Sequence, residues 1–96
     1  MPNPSKNKGN RFEREVVNLA KGTGLKAYRI PLSGATWLKG DVMIEGYKFE
    51  CKARHSGFKQ IEKWIEGFDG VMIKRDNGKI YAILPLETLF HVWGFK

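Results

Sequence analysis

Asp41-Val-Met-Ile-Glu-Gly-Tyr-Lys-Phe-Glu-Cys-Lys52 alternates in polarity on either side of a Glu45-Gly46 pair. A period of two broken by a glycine-containing dipeptide predicts a β-hairpin. With Glu45-Gly46 as a two-residue turn, Ile44 falls opposite Tyr47, Met43 opposite Lys48, Val42 opposite Phe49, and Asp41 opposite Glu50. Alternation then assigns Val42, Ile44, Tyr47, Phe49 and Cys51 to a core face, and Asp41, Met43, Lys48, Glu50 and Lys52 to the other. Carboxylates opposed across an antiparallel pair have Cβ atoms about 4.5–5.5 Å apart and repel. A divalent cation between them reverses that sign, because hard ions such as Mg²⁺ take oxygen ligands. Lys52 projects on the same face, placed to neutralise the site, orient a water or contact a phosphate. The competing account is an ordinary charged hairpin face, and on the Glu50-x-Lys52 triplet alone it is the simpler one.

Upstream, Phe12, Val16, Leu19 and Ala20 recur at helical spacing before Gly22-Thr-Gly24, which predicts a helix over about residues 11–21. With Val16 at the centre of that stripe, Glu13 lies about 60° from centre and Arg14 about 160°, so Glu13 can reach the sheet edge while Arg14 points to solvent. Asn10-x-x-Glu13 also fits a capping box, in which the glutamate serves the helix's own backbone. Residues 1–9, with Pro2 and Pro4 among polar neighbours, read as a flexible basic arm. Lys26–Leu32 reads as a first strand, and Ser33–Gly40 as a loop rich in small residues.

Downstream, Phe58, Ile61, Trp64, Ile65 and Phe68 outline a second amphipathic helix. Val71–Lys74 and Lys79–Leu84 flank Asn77-Gly78, the strongest turn dipeptide in the chain. Pro85 opens a third helix through about Trp93. The predicted order is α-β-β-β-α-β-β-α.

The chain has 96 residues, a length suited to one domain. Its net charge of +7 is uneven, with 8 basic and 2 acidic residues among the first forty. That asymmetry suggests a polyanion as partner, nucleic acid first, against the plainer reading that the lysines and arginines only maintain solubility. No run approaches the roughly 18 apolar residues of a membrane span and the N-terminus lacks a signal peptide's apolar core, so the expectation is a soluble cytoplasmic protein with no membrane partner. One cysteine and two histidines exclude an internal disulfide and a four-ligand zinc site within one chain. Cys51 reads as a small buried hydrophobe, His55 as a loop residue, and Gln60 as a weak candidate for supporting the site.

Gly9-x-x-x-Glu13-Arg14-Glu15, Arg29 at the end of a strand, Ser33-Gly34, Gly40-Asp41 and Glu50-Cys51-Lys52, in that order, resemble the PD-(D/E)xK nuclease superfamily. Within it they are most similar to archaeal-type Holliday junction resolvases and their phage-borne relatives. The resemblance covers about residues 8–54 and implies an α/β, restriction-endonuclease-like αβββαβ core, with a mixed central sheet flanked by helices, in a single nuclease domain over residues 1–96. It places the metal-dependent active site on Glu13, Asp41, Glu50 and Lys52, with the Cys51 backbone carbonyl as a further ligand for Mg²⁺, or Mn²⁺ in its place. Lys6, Lys8, Arg11, Arg14, Arg29 and Lys39 are the expected phosphate contacts, with Arg29 equally suited to an internal ion pair. Ser33 touches the scissile phosphate by the same resemblance, or serves only its turn. The implied function is that of a Mg-dependent, structure-selective DNA endonuclease, a Holliday junction resolvase that hydrolyses phosphodiesters of branched or duplex DNA as a homodimer, since paired cuts need two sites, within the host cytoplasm if phage-encoded. Trp37, Phe90, Trp93 and Phe95 are interface candidates. The rival readings are a nuclease of flaps, nicks or duplex ends, and a basic nucleic-acid-binding module without catalysis.

Overall fold

The computed structural model describes residues 4–31 and 41–94, and of residues 4–7 the backbone alone. Ser33, Trp37, Lys39, Gly40 and Phe95 lie outside the described residues, as does the side chain of Lys6. The elements run α1 (Pro4–Gly22), β1 (Ala27–Arg29), β2 (Val42–Ile44), β3 (Tyr47–Phe49), α2 (Lys59–Ile65), β4 (Val71–Lys74), β5 (Ile80–Ile83) and α3 (Leu86–Gly94), in the predicted order. The fold is α/β. The sheet expected as one mixed layer takes the form of two small antiparallel sheets, β1-β2-β3 and β4-β5. The packing of the chain divides into two compact units, Met1–Ala53 and Arg54–Lys96.

In the first unit α1 starts at Pro4, not near residue 11, which replaces the flexible arm expected over residues 1–9 by helix from residue 4 on; residues 1–3 lie outside the described residues. Proline is tolerated in a first helical turn, where its missing N–H has no intrahelical acceptor to lose. Asn10 is therefore well inside the helix and cannot act as its N-cap. The helix ends in a Schellman turn: Leu25 N–H donates to the Ala20 carbonyl at 3.0 Å, Gly24 N–H donates to Lys21 at 3.0 Å, and Gly24 takes φ +88°. Val16, Val17 and Ala20 are the buried stripe, while Leu19 is 51% exposed. The apolar face is thus rotated from the expected one, and Glu13 falls within about 15° of its centre.

The hairpin register is as predicted, with Val42 opposite Phe49, Met43 opposite Lys48 and Ile44 opposite Tyr47. Glu45 and Gly46 both take positive φ, 50° and 85°, as a two-residue turn that follows the twist of its strands requires. Glu45 tolerates this geometry because it is held twice: its N–H donates to the Lys26 carbonyl at 2.8 Å, and its Oε2 accepts the Lys26 N–H at 2.7 Å. Val42 and Ile44 are buried with Ala27, Ile30 and Leu25 beneath α1. Tyr47 and Phe49, expected in the core, are exposed at 65% and 36%. The reason is their place on the outer strand, since α1 packs on β1 and β2. Cys51 is likewise half-buried rather than a core residue.

In the second unit α2 is a short helix of seven residues with no side-chain cap, and β4 pairs with β5 from Val71↔Ile83 to Lys74↔Ile80. The turn sits one residue earlier than Asn77-Gly78: Gly78 N–H donates to the Arg75 carbonyl at 2.8 Å and Asn77 carries the positive φ of 60°. Glycine at 78 answers a different need, because a Cβ there would stand 3.1 Å from that carbonyl. Phe90 is 2% exposed and belongs to the core, which removes it from the interface candidates; Trp93 is half-buried.

Two glycine substitutions separate backbone conformation from space. Gly46→Ala should destabilise by about 1–2 kcal/mol, the cost of a left-handed residue with a Cβ. Gly9→Ala should stabilise by about 1 kcal/mol, because Gly9 is helical and its added Cβ meets nothing within 4 Å. Urea unfolding of both variants measures the two signs.

Candidate active site

Asp41 is fixed from three directions. Its N–H donates to the Phe49 carbonyl at 2.9 Å, its carbonyl accepts the Ile30 N–H at 3.0 Å, and its Oδ2 accepts the Cys51 N–H at 2.7 Å. The first bond ends on Phe49 rather than Glu50, so the ladder shifts at its open end and the carboxylate turns toward the Cys51 amide. Among the described residues Oδ1 has no hydrogen-bond partner.

Glu13 approaches the same sheet from α1, where the rotated stripe directs it. Its side chain is 18% exposed, and its Oε1 accepts from Arg29 Nε at 3.1 Å and lies 3.1 Å from Nη2 in the ion pair. Nη2 also donates to Asn10 Oδ1 at 3.0 Å. Of the two roles open to Arg29, the structure shows the internal ion pair. Asn10, read from sequence only as a possible cap, holds the guanidinium instead. The signal was present in its spacing, since Asn10 and Glu13 lie three residues apart on one helix face.

Glu50 and Lys52 follow β3 and form a 3.7 Å ion pair, with side chains 59% and 65% exposed. A pair so open to water is worth about 0–1 kcal/mol and exchanges partners readily.

The Cys51 thiol reports on all three acids. Its pKa is pushed up to about 11, first by burial and then by the negative charges of Asp41, Glu13 and Glu50. The carboxylates therefore share one electrostatic neighbourhood. Each is balanced within the protein, by an amide, a guanidinium and an ammonium respectively. Among the described residues no three His, Cys, Asp or Glu side chains stand close enough together to cage a metal ion. The donor chemistry still suits Mg²⁺, whose sites commonly use one or two carboxylates with water and substrate phosphate rather than a closed protein cage.

Of the expected phosphate contacts, Lys8, Arg11 and Arg14 are exposed on α1, within an arc of about 120° opposite the buried stripe. His55 and Gln60 are exposed in the second unit.

Because Asp41 is the largest charge acting on Cys51, Asp41→Asn should lower the pH at which the thiolate forms. Burial keeps that pH above the ordinary thiol range. Iodoacetamide labelling rates followed from pH 8 to 11.5 measure the change, and identical profiles would show that the carboxylate does not face the thiol.

No curated protein and no solved structure matches the chain, and among the described residues no helix is long and apolar enough to cross a membrane. The family model described as archaeal Holliday junction resolvase (Hjc) matches residues 4–66, which takes in α1, the three-stranded sheet, Glu13, Asp41, Glu50, Lys52 and α2. With two thirds of its length under that model, the chain belongs to the archaeal Holliday junction resolvase family of nucleases.

Proposed function

We propose that this protein is a divalent-metal-dependent endonuclease that resolves four-way DNA junctions as a homodimer. The observation carrying the reading is the Asp41 carboxylate bound to the Cys51 amide, flanked by the exposed Glu50–Lys52 pair, with Glu13 paired to Arg29 at the end of β1. Family membership supplies the reaction class.

Asp41 Oδ1, a Glu50 oxygen and the Cys51 carbonyl are the groups to hold Mg²⁺ or Mn²⁺, with Glu13 placed to bind through its free Oε2. Such an ion supplies charge stabilisation at the phosphoryl oxygens and lowers the pKa of a bound water. Asp41 enters the reaction already oriented, because its three hydrogen bonds leave little freedom to lose. Arg29 and Asn10 keep Glu13 extended toward the sheet. Lys52, released when Glu50 takes another partner, donates to a non-bridging phosphate oxygen or orients the attacking water. Lys6, Lys8, Arg11, Arg14, Ser33 and Lys39 contribute phosphate contacts, which give affinity without reading sequence. Paired incisions across a junction require a second active site, hence a two-fold dimer. The reaction belongs where DNA is replicated and recombined, in the cytoplasm, that of the host cell if the protein is phage-encoded.

The test uses purified protein and its Glu50→Ala variant on a synthetic four-way junction and a linear duplex of matched sequence, with Mg²⁺, Mn²⁺ or EDTA. Junction cutting that needs the metal and falls about 100-fold or more in the variant is the expected result. Equal cutting of both DNAs would remove junction selectivity in favour of a flap, nick or duplex nuclease, and cutting in EDTA would remove the metal. Sedimentation equilibrium measures the dimer.

A further inference from the structure

The β4-β5 hairpin lies beyond residue 66, outside the span matched by the family model, and none of the chemistry above uses it. The last ladder pair is Lys74↔Ile80. Continuing that register one position sets Arg75 opposite Lys79, while the turn bond ties the Arg75 carbonyl to Gly78. Like charges opposed in this way destabilise an antiparallel pair. Both line a single cleft of about 220 Å³ with Gly78 and Tyr81, and Tyr81 is 57% exposed. The turn holds this arrangement in place: the Arg75 carbonyl accepts from Gly78 N–H at 2.8 Å, and Gly78 is packed too closely against Arg75 to carry a side chain freely. Among the described residues neither Arg75 nor Lys79 forms an ion pair, although Asp76 is adjacent in sequence. The cleft thus brings two cationic residues and an exposed tyrosine to one side of the hairpin tip.

We propose that this hairpin tip is a second DNA contact, in which Arg75 and Lys79 clasp backbone phosphate and Tyr81 lies against the adjoining sugar or base. DNA is the occupant the observations favour because the chain belongs to a DNA nuclease family and the cleft combines paired cations with an exposed aromatic ring, the combination that holds a phosphate next to a flat nucleoside. A phosphate between the cations also removes the repulsion that the free hairpin bears. The assignment rests on the nuclease reading. It adds a contact that binds DNA without taking part in hydrolysis.

The experiment measures binding of a labelled four-way junction by fluorescence anisotropy, in EDTA, as salt is raised. It compares the full chain with the double variant Arg75→Gln/Lys79→Gln, and checks that the two melt at the same temperature. Each lost phosphate contact removes about 0.9 from the slope of log affinity against log salt. The double variant should therefore be shallower by about 1.8. It should also bind more weakly at low salt, while cutting at saturating junction with Mg²⁺ stays unchanged. Tyr81→Leu, which keeps an apolar side chain on the strand, should weaken binding with no change of slope. An unchanged slope in the double variant would overturn the clasp and leave the nuclease standing. Lost binding to polyglutamate with junction binding intact would assign the tip to an acidic protein and also overturn it. A wild-type chain that binds no DNA would overturn both readings together.

Discussion

The three hydrogen bonds on Asp41 hold the first unit together at the point where chemistry is proposed. Two are backbone bonds, one to each neighbouring segment of the sheet, and the third ties the carboxylate to the Cys51 amide. A carboxylate accepting a backbone N–H makes a charge-assisted bond, roughly twice as strong as a neutral one. It also fixes the chain immediately after β3, so the positions of Glu50, Cys51 and Lys52 depend on it. The small sheet could otherwise fray at this open end, because β3 is an outer strand with exposed Tyr47 and Phe49.

Around this anchor, negative charge is concentrated and locally compensated. Three carboxylates that add to burial in raising one thiol would destabilise the fold if left unpaired. Glu13 is held by Arg29, whose guanidinium also donates to Asn10, and Glu50 is held by Lys52. The two arrangements differ in strength. The guanidinium is gripped between a helix and a strand, whereas the ammonium is in open solvent. The first is suited to positioning, and the second to exchanging partners when a phosphate and an ion arrive.

Much of this was legible from residues. Strand alternation and the Glu45-Gly46 pair gave the register residue by residue, because a two-residue turn leaves no freedom in pairing. The order of short motifs pointed to the family whose model matches residues 4–66. Other features were not legible. The helical stripe was centred on the wrong residues because Val17 and Leu19 are equally apolar, and only packing against β1 and β2 chooses between them. That choice moves Glu13 from the flank of the helix to the middle of its buried face. The start of α1 was missed because proline signals both a loop and a first helical turn.

Sequence by itself determined the order of elements, the hairpin register and the residue types available for metal and phosphate chemistry, since these depend on period, turn chemistry and composition along neighbouring positions. Tertiary structure decided which face of α1 is buried, which residues of β3 stay in water, and which partner each charge takes. Those outcomes depend on contacts between segments far apart in the chain. Arg29 and Glu13, sixteen residues apart, become neighbours only when the helix lies on the sheet.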